Sequence, residues 1–323
     1  MKQSYVRDPL GEAKPMYNAY NEAITDLFKK NDKIVLLYGD FPRGAAGEMA
    51  TKEYPDRVYD VGIAEANLIT VAAGLAAGGK IPFTHCHSIF AVGRAYNQIR
   101  QNVAFDKFNV KMMLLNTGML WAFMGGSHQT IEEITALRVI PNLVLFSPAD
   151  PVETKKIAQA ALDHVGPVAI RVANPAVPTI YQDNFPFEVG KAVTVTEGKD
   201  ATIIATGISV ADALRAHDLL AKEKINVRLL DMHTLKPLDE AAIIKAAKDT
   251  GAIVTVEDTS ILGGLGGAVA EVIAENYLAP VKRVGIKDRF GQSGTIDELK
   301  EVYEISASHI AAAVKAVIKR KKK

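Results

Sequence analysis

The chain has 323 residues, of which 48% are hydrophobic and 23% are charged, a balance that is typical of a globular protein. Its length predicts two domains, because single domains hold about 100–200 residues. The net charge of +1 argues against a nucleic-acid partner, since such partners select a strongly basic surface.

Cysteine content and the chain termini indicate the compartment. The single cysteine, Cys86, excludes a disulfide framework and is typical of a reducing compartment. The segment before Pro15 lacks the apolar core of a signal peptide, and no window reaches about 18 uninterrupted apolar residues. We therefore expect a cytoplasmic protein that does not span a membrane. The basic residues 319–323 are expected to form a frayed, solvated tail.

Short apolar strands alternate with helices through the first half of the chain. Residues before Pro15 are predicted to form an irregular arm, and a helix follows from Met16 to a cap near Asn31. The predicted strands are 33–38, 58–61, 81–84, 110–115, 143–146 and 168–172, and further helices are predicted after Gly62 and over 90–105, 130–137 and 152–164. This alternation predicts a parallel sheet that is covered on both faces.

The second half repeats the α/β pattern after a proline-containing segment, 174–187. Its predicted strands are 201–206, 227–230, 252–257 and 281–285, and its predicted helices are 210–222, 239–247, 268–277 and 307–319. We therefore expect an α/β protein with two doubly wound, mostly parallel sheet domains. The expected limits are 1–176 for the first domain, 177–188 for the linker and 189–323 for the second domain.

The segment 57–79, RVYDVGIAEANLITVAAGLAAGG, contains the first candidate functional residue. After Gly62, an apolar helix rich in Ala and Gly begins with a single ionisable side chain, Glu65. A carboxylate beside so much apolar surface needs a partner, because burying an unpaired charge costs several kcal/mol. The alternative interpretation is that Glu65 only complements the helix dipole, which contributes roughly 0.3–1 kcal/mol.

Loops that follow parallel strands hold two further candidates, since ligands bind at the carboxyl ends of such strands. Asp40 follows the strand 33–38. It is interpreted either as an acid or hydrogen-bond acceptor or as a turn residue ahead of Pro42 and Gly44. His128 lies in a glycine-rich loop, which suits hydrogen bonding or proton transfer near neutral pH better than core packing.

His85, Cys86 and His87 form a cluster of possible metal ligands after the third strand. We expect the two histidines to point to opposite faces of an extended chain, and no second pair of ligands lies nearby in the sequence. The sequence therefore does not favour a metal site in this chain.

Several longer stretches resemble one enzyme family. VGIAEANLITVAAGLAAGGKIPFTH and GSHQTIEEITALRVIPNLVLFSPADPVE resemble the pyrimidine-binding domain of transketolases. DMHTLKPLD, VTVEDTSILGGLGGAVAEV and DRFGQSG resemble the C-terminal domain that transketolases share with deoxyxylulose-5-phosphate synthases and the beta subunits of 2-oxo-acid dehydrogenases. The resemblance covers nearly the whole chain, which is similar to the C-terminal half of a transketolase encoded as a separate subunit.

The resemblance implies roles in binding the cofactor thiamine diphosphate. Glu65 matches the glutamate that contacts the aminopyrimidine and promotes the imino tautomer, which removes the thiazolium proton. Phe90 matches the aromatic residue that stacks on the pyrimidine, and Ile89 and His87 lie beside it in the sequence. Asp40 matches an aspartate near the cofactor.

The resemblance also implies substrate contacts, and here the chain departs from the family. His128 matches a histidine that stabilises hydroxyl or oxyanion charge on the substrate. Met124 replaces an aspartate that binds a sugar hydroxyl, and Gly44, Asn116 and Asn174 replace the serine, histidine and arginine that bind phosphate. Losing one charge-assisted phosphate contact removes about 1.5–3 kcal/mol of binding. We therefore expect sugar substrates that are not ordinary sugar phosphates or that bind differently.

A companion subunit is implied by what the chain lacks. The family holds the diphosphate and its divalent metal, Mg²⁺ or Ca²⁺, through a Gly-Asp-Gly stretch followed by Asn. Here Gly39-Asp40 is followed by Phe41. The resemblance therefore implies an N-terminal, diphosphate-binding partner in an α₂β₂ assembly. It also implies self-association through the pyrimidine-binding and C-terminal domains, for which the Ala/Gly helix after Glu65 is a candidate surface.

Three functions remain open at this point. The first is the C-terminal subunit of a two-subunit transketolase-like transferase, active only with its partner, that moves a two-carbon ketol unit from a ketose to an aldose. The second is the beta subunit of a 2-oxo-acid dehydrogenase. The third is a catalytically silent structural subunit, against which the presence of Glu65, Phe90 and His128 argues.

Overall fold

Strands and helices alternate along most of the chain. A computed structural model describes residues 1–40 and 44–321. The strands are β1 (Val6–Pro15), β2 (Ile34–Tyr38), β3 (Val58–Asp60), β4 (Ile81–His87), β5 (Lys111–Leu115), β6 (Val144–Phe146), β7 (Val168–Val172), β8 (Ala176–Tyr181), β9 (Val193–Thr196), β10 (Ala201–Ala205), β11 (Val227–Asp231), β12 (Thr234–Lys236), β13 (Ile253–Ser260) and β14 (Val281–Ile286). The helices are α1 (Met16–Lys30), α2 (Gly44–Glu53), α3 (Glu65–Ala77), α4 (Ser88–Gln98), α5 (Glu133–Arg138), α6 (Pro151–Asp163), α7 (Ser209–Lys222), α8 (Glu240–Thr250), α9 (Leu265–Asn276), α10 (Ile296–Val302) and α11 (Ala307–Ile318).

Six of the seven strands of the larger sheet come from the first half of the chain. Its seven strands are ordered β12-β6-β7-β5-β4-β2-β3, and all neighbours are parallel except β12 and β6. The strands β2, β5 and β7 are buried at every position, which explains their largely apolar sequences. α1 and α6 pack together on one face of this sheet, and α3 and α4 pack together on the other.

The second sheet has five strands in the order β14-β13-β10-β11-β9, of which only β9 is antiparallel to its neighbour. α7 and α11 cover one face, and α8 and α9 cover the other. The expected α/β class with two mostly parallel sheets is therefore confirmed. Within the described residues, none of the helices combines the length and the apolar character that a bilayer crossing requires.

The prediction of an irregular arm before Pro15 was wrong. Residues 6–15 form β1, which pairs antiparallel with β8 from Val6 opposite Tyr181 to Pro15 opposite Ala176. Asp150 anchors this two-stranded ribbon, because its Oδ2 accepts the backbone N–H groups of Ile180 and Tyr181 at 2.7 and 2.8 Å. The β1 sequence lacks an apolar alternation since most of its residues face solvent, and its strand conformation depends on a partner far along the chain.

Other differences also involve short or weakly apolar elements. The helix expected over 90–105 consists of α4 and a following π-helical turn, Ile99–Ala104. β8 lies within the segment interpreted as a linker, and β9, β12, α2 and α10 were not predicted. β12 belongs to the second half of the sequence but pairs with β6 at the edge of the first sheet, where Thr234 lies opposite Phe146. The domain limits stay a prediction.

A buried ion-pair network joins the two halves. Arg171 on β7 is 3% exposed and bonds to Glu133 Oε1 through Nη2 at 2.8 Å and to Asp258 Oδ1 at 2.9 Å. Its Nη1 donates to Ser147 Oγ at 2.8 Å. Burial raises the pKa of the Glu133 carboxyl to about 7, and the Arg171 guanidinium opposes that rise. Because Asp258 lies on β13, this network fixes the second sheet against the first.

We expect Arg171→Met to destabilise the protein by on the order of 3–5 kcal/mol, because Glu133 and Asp258 would remain buried without their cation. The measurement is the free energy of unfolding in urea. Arg100→Met is the matched control, since Arg100 is exposed and its guanidinium contacts Gln101. Its cost should stay below about 1 kcal/mol. Equal losses in the two variants would contradict a stabilising role for the buried network.

Candidate active site

A cavity of about 230 Å³ lies at the carboxyl ends of β2 and β4, beside the beginning of α3. This is the edge at which parallel sheets bind ligands. The cavity is lined by residues of the first half of the chain, namely Tyr17, Tyr38, Gly39, Asp40, Ile63, Glu65, His85, Cys86, His87, Phe90, Met113, Leu115 and Trp121. The fold thus brings together four of the candidate residues: Asp40, Glu65, His87 and Phe90.

Glu65 is the buried carboxylate of the cavity. It is the first residue of α3, is 5% exposed and lies at the positive end of the helix dipole. Its Oε2 and Oε1 accept hydrogen bonds from Arg94 Nη1 at 3.2 and 3.3 Å. Arg94 also lies over the Phe90 ring, with 4.6 Å between the guanidinium carbon and the ring centroid. Arg94 therefore contacts two of the residues that were expected to bind the cofactor, Glu65 and Phe90.

An aromatic cluster of His87, Phe90, Trp121 and His128 lies at the cavity, and its first three members line it. The Trp121 ring stacks on His87 with 3.7 Å between the ring centroids. His128 meets Trp121 edge to face at 4.6 Å and Phe90 at 5.4 Å. The Nδ1 atom of His128 is 2.9 Å from Ser127 Oγ. His128, which lies after the 3₁₀ turn Ala122–Ser127, thus contacts the side chains that line the cavity.

His85 is a buried residue that lines the cavity. Its ring contacts Tyr38 and Tyr20 edge to face, at centroid distances of 4.7 and 5.4 Å. Burial lowers the pKa of His85 to about 3, so the imidazole is neutral. Neither ring nitrogen, nor the hydroxyl of Tyr38 or Tyr20, has a hydrogen-bond partner among the described protein groups.

The expectation that His85 and His87 point to opposite faces was wrong. Both belong to β4, where residues two apart share a face, and both line the same cavity. Among the described residues, the structure contains no group of three or more His, Cys, Asp or Glu side chains arranged to hold a metal ion.

Asp40 lies at the rim. It follows β2 with a φ of 130° and is exposed, and its backbone N–H donates to Asp60 Oδ1 at 3.2 Å. The alternative interpretation, a turn ahead of Pro42, falls on residues 41–43 and lies outside the part of the chain that is described.

Besides His128, four candidates do not line the cavity. Ile89 follows the first residue of α4, Met124 is 39% exposed in the 3₁₀ turn, and Asn174 is exposed between β7 and β8. Asn116 follows β5 with a φ of 56°. It is 5% exposed and donates its backbone N–H to Val172 O at 2.9 Å. Their roles toward substrate or cofactor stay predictions.

Three residues of the site were missed in the sequence. Arg94 follows Phe90 by four positions on one helix, a spacing that places both side chains on one face and that was available as a signal. Trp121 is the only tryptophan of the chain and lies between the predicted strand 110–115 and the predicted helix 130–137. No sequence pattern pointed to Tyr38 as a site residue, because it ends an apolar strand and its contact with the cavity depends on the packing of β2 against β4.

The residues present fit an aminopyrimidine. A buried carboxylate suits a ring nitrogen that shares a proton, and the Phe90 ring offers an aromatic face beside it. In contrast, the described residues of the cavity include neither a lysine nor a metal-ligand cluster for a diphosphate. The cavity therefore suits an aminopyrimidine ring better than a diphosphate group.

Comparison with family models gives matches over both halves of the chain. The model described as the transketolase pyrimidine-binding domain matches residues 12–179, and the model of the transketolase C-terminal domain matches residues 190–310.

Individual proteins match over nearly their full length. The "6-deoxy-6-sulfo-D-fructose transketolase subunit SqwH" of Clostridium sp. (strain MSTE9) is 41% identical over 94% of both chains. The "Putative transketolase C-terminal section" of Methanocaldococcus jannaschii is 42% identical over 96% of this chain and 98% of that protein. A solved structure titled "Split gene transketolase, inactive beta4 tetramer" superimposes with a TM-score of 0.88 and 41% identity, covering 97% of this chain and all of the other.

We expect the pH dependence of stability to reveal the buried His85. Its pKa is about 3 in the folded protein and near 6.5 in the unfolded chain. The unfolded state therefore binds more protons between these values, and stability falls as the pH decreases below 6.5. The loss between pH 7 and pH 5 should be about 2 kcal/mol from this residue.

His85→Phe keeps an aromatic ring between Tyr20 and Tyr38 and removes the titrating group. Urea unfolding at pH 7 and pH 5 should therefore show a smaller acid-induced loss in this variant than in the wild type. His309→Phe, on a partly exposed position of α11, is the control and should keep the wild-type dependence. An unchanged pH dependence in His85→Phe would refute the assignment.

Proposed function

The chain belongs to the transketolase family, and on that premise we propose that it is the C-terminal subunit of a two-subunit, thiamine-diphosphate-dependent transketolase. The enzyme transfers a two-carbon ketol unit from a ketose to an aldose. The observation that carries this proposal is the buried Glu65 beside Phe90 in the cavity, on a chain whose two family domains are those of a transketolase C-terminal half.

The companion subunit supplies what this chain lacks. A diphosphate and its divalent metal, Mg²⁺ or Ca²⁺, require ligands that the cavity does not offer among the described residues. The names of the relative and of the solved neighbour, a transketolase subunit and a split-gene transketolase, support a partner chain. We propose an N-terminal, diphosphate-binding partner, an α₂β₂ assembly, self-association through both domains, and location in the cytoplasm.

The residues of this chain would act on the pyrimidine side of the reaction. Thiamine diphosphate supplies, when bound, the nucleophilic carbon that accepts and passes on the two-carbon unit. In this proposal Glu65 holds a proton that it shares with a pyrimidine nitrogen, and Arg94 orients the carboxylate through its bonds of 3.2 and 3.3 Å. Phe90 packs against the ring, and His128 donates hydrogen bonds to substrate hydroxyl groups or to a developing oxyanion.

The two alternative functions have less support. A 2-oxo-acid dehydrogenase beta subunit would share the fold, but the two relatives described above, which match over nearly their own full length, carry transketolase names. A silent structural subunit would not need a buried Glu65 joined to Arg94 in a cavity with Phe90 and Trp121. Both alternatives are therefore disfavoured.

The first test is calorimetric titration of thiamine diphosphate with Mg²⁺ into this chain alone and into its mixture with the diphosphate-binding companion. We expect binding only in the mixture, because the ligands for the diphosphate come from the companion. Tight, metal-dependent binding by the chain alone would overturn the two-subunit proposal.

Glu65→Gln should reduce ketol transfer by on the order of 100-fold or more, since general acid–base catalysis contributes about 10²–10⁴-fold. Assembly with the companion should persist, because Gln retains the size of the side chain. Glu223→Gln is the matched control on an exposed position that pairs with Lys315. Equal activity of the two variants would favour the silent-subunit alternative.

The substitutions at Gly44, Asn116 and Asn174 predict that a terminal phosphate contributes little to substrate binding. Non-phosphorylated or differently charged ketoses should therefore have kcat/KM values equal to or above those of the matching ketose phosphates. Each lost charge-assisted contact corresponds to about 1.5–3 kcal/mol, or roughly 10–100-fold in affinity. Efficient turnover of phosphates alone would contradict this prediction.

A further inference from the structure

A loop of the second half of the chain packs directly against the loop that carries His128. The positioning loop, residues 288–294, joins β14 to α10, and the His128 loop is residues 122–129. Within the two loops, the backbone N–H of Gly294 donates to Ala122 O at 3.3 Å. The contact therefore links the second half to the cavity described above, although none of residues 288–294 lines that cavity.

Glycines allow the two backbones to approach closely. A Cβ atom added to Gly126 would lie 2.9 Å from the carbonyl oxygen of Gly291. A Cβ atom added to Gly125, which has a φ of +72°, would lie 2.8 Å from Ser293 Oγ. Real Cβ atoms do not approach other atoms this closely, so a side chain at either position would move the loops apart.

Gln129 is the polar link between the loops. It is 3% exposed and follows His128 directly. Its Nε2 donates to Gln292 O at 3.1 Å and to Ala122 O at 3.3 Å. The hydroxyl of Tyr303, 3% exposed, accepts the N–H of Gln292 at 3.1 Å and donates to Gln129 Oε1 at 3.4 Å. A Cβ atom at Gly291 would lie 1.6 Å from Gln129 Oε1.

His128 is therefore held from two sides. Its ring contacts Phe90 and Trp121, both of which line the cavity. Its backbone is fixed on the other side through Gln129 and Gly126, which pack against the positioning loop. The position of the His128 ring relative to the cavity thus depends on residues 288–294.

We infer that the second half of the chain acts on the active site by positioning His128, with Gln129 and Gly291 as positioning residues. This inference rests on the proposed function of His128 as a substrate-contacting residue. Displacing a substrate-binding group by about 1 Å reduces catalysis by about 100-fold. Binding of the cofactor pyrimidine depends on Glu65 and Phe90, which belong to α3 and α4, and should not change.

The test compares Gly291→Ala with Gly267→Ala in the complex with the companion subunit. Both glycines lie in the second half, but a Cβ atom at Gly267 would have no described atom within 4 Å apart from its chain neighbours and the backbone of its own helix. We expect Gly291→Ala to reduce kcat/KM for the ketose by about 100-fold. The dissociation constant of thiamine diphosphate should change by less than about 3-fold. Its pyrimidine ring depends on Glu65 and Phe90, which lie outside the two loops. Gly267→Ala should resemble the wild type in kcat/KM and in the dissociation constant of thiamine diphosphate.

Trp121 gives a second readout that does not depend on activity. It is the only tryptophan, and its ring contacts His128, so its fluorescence reports the arrangement of the His128 loop. Gly291→Ala should change the emission maximum and the acrylamide quenching of the chain alone, whereas Gly267→Ala should not. Wild-type activity together with unchanged fluorescence in Gly291→Ala would overturn the inference.

Tyr303→Phe keeps the test decisive if Gly291→Ala does not fold. It removes one hydroxyl that bonds to Gln129 and to the N–H of Gln292, and it retains the buried ring. We expect about a 10-fold loss of kcat/KM with unchanged cofactor affinity, and unchanged kcat/KM would overturn the inference. An inactive wild-type complex would refute the proposed function instead, and the Trp121 fluorescence would still decide the positioning role.

Discussion

The arrangement of this protein depends on the buried guanidinium of Arg171. Its partners Glu133, Ser147 and Asp258 come from both halves of the chain, and the carboxylates are almost completely excluded from water. Charges so deeply buried are tolerated only when they are paired. The ion pair therefore requires one relative position of the two sheets, and an apolar contact alone would not specify that position.

The same network reaches the active site through the loop after β5. Glu133 Oε1 also accepts the N–H of Gly118 at 2.9 Å, and a Cβ atom at Gly118 would lie 2.7 Å from the backbone oxygen of Asp258. The beginning of this loop is thus fixed by β13, and its end at Gly126 packs against Gly291. The second half of the chain supplies no lining residue to the described cavity, yet it contacts the loop after β5 at both ends.

Prediction from the sequence succeeded where a residue's position follows from its own segment. Apolar strands such as 34–38 and 168–172 are specified by continuous burial, and Glu65 and Phe90 converge because both follow the carboxyl ends of parallel strands. Prediction failed for β1, which is a strand only because β8 pairs with it. It also failed for His85 and His87, which were expected on opposite faces. They lie two residues apart on one strand and therefore share a face.

The sequence by itself determined the α/β class, most of the helices and strands, and the identity of the buried carboxylate, because these depend on local apolar periodicity and on motifs of contiguous residues. Only the tertiary structure decided that Arg94 pairs with Glu65, that Trp121 stacks on His87, and that Gly291 packs against the His128 loop. The reason is physical: each of these contacts joins segments that lie at least 29 residues apart in the chain, so a local sequence pattern does not specify it.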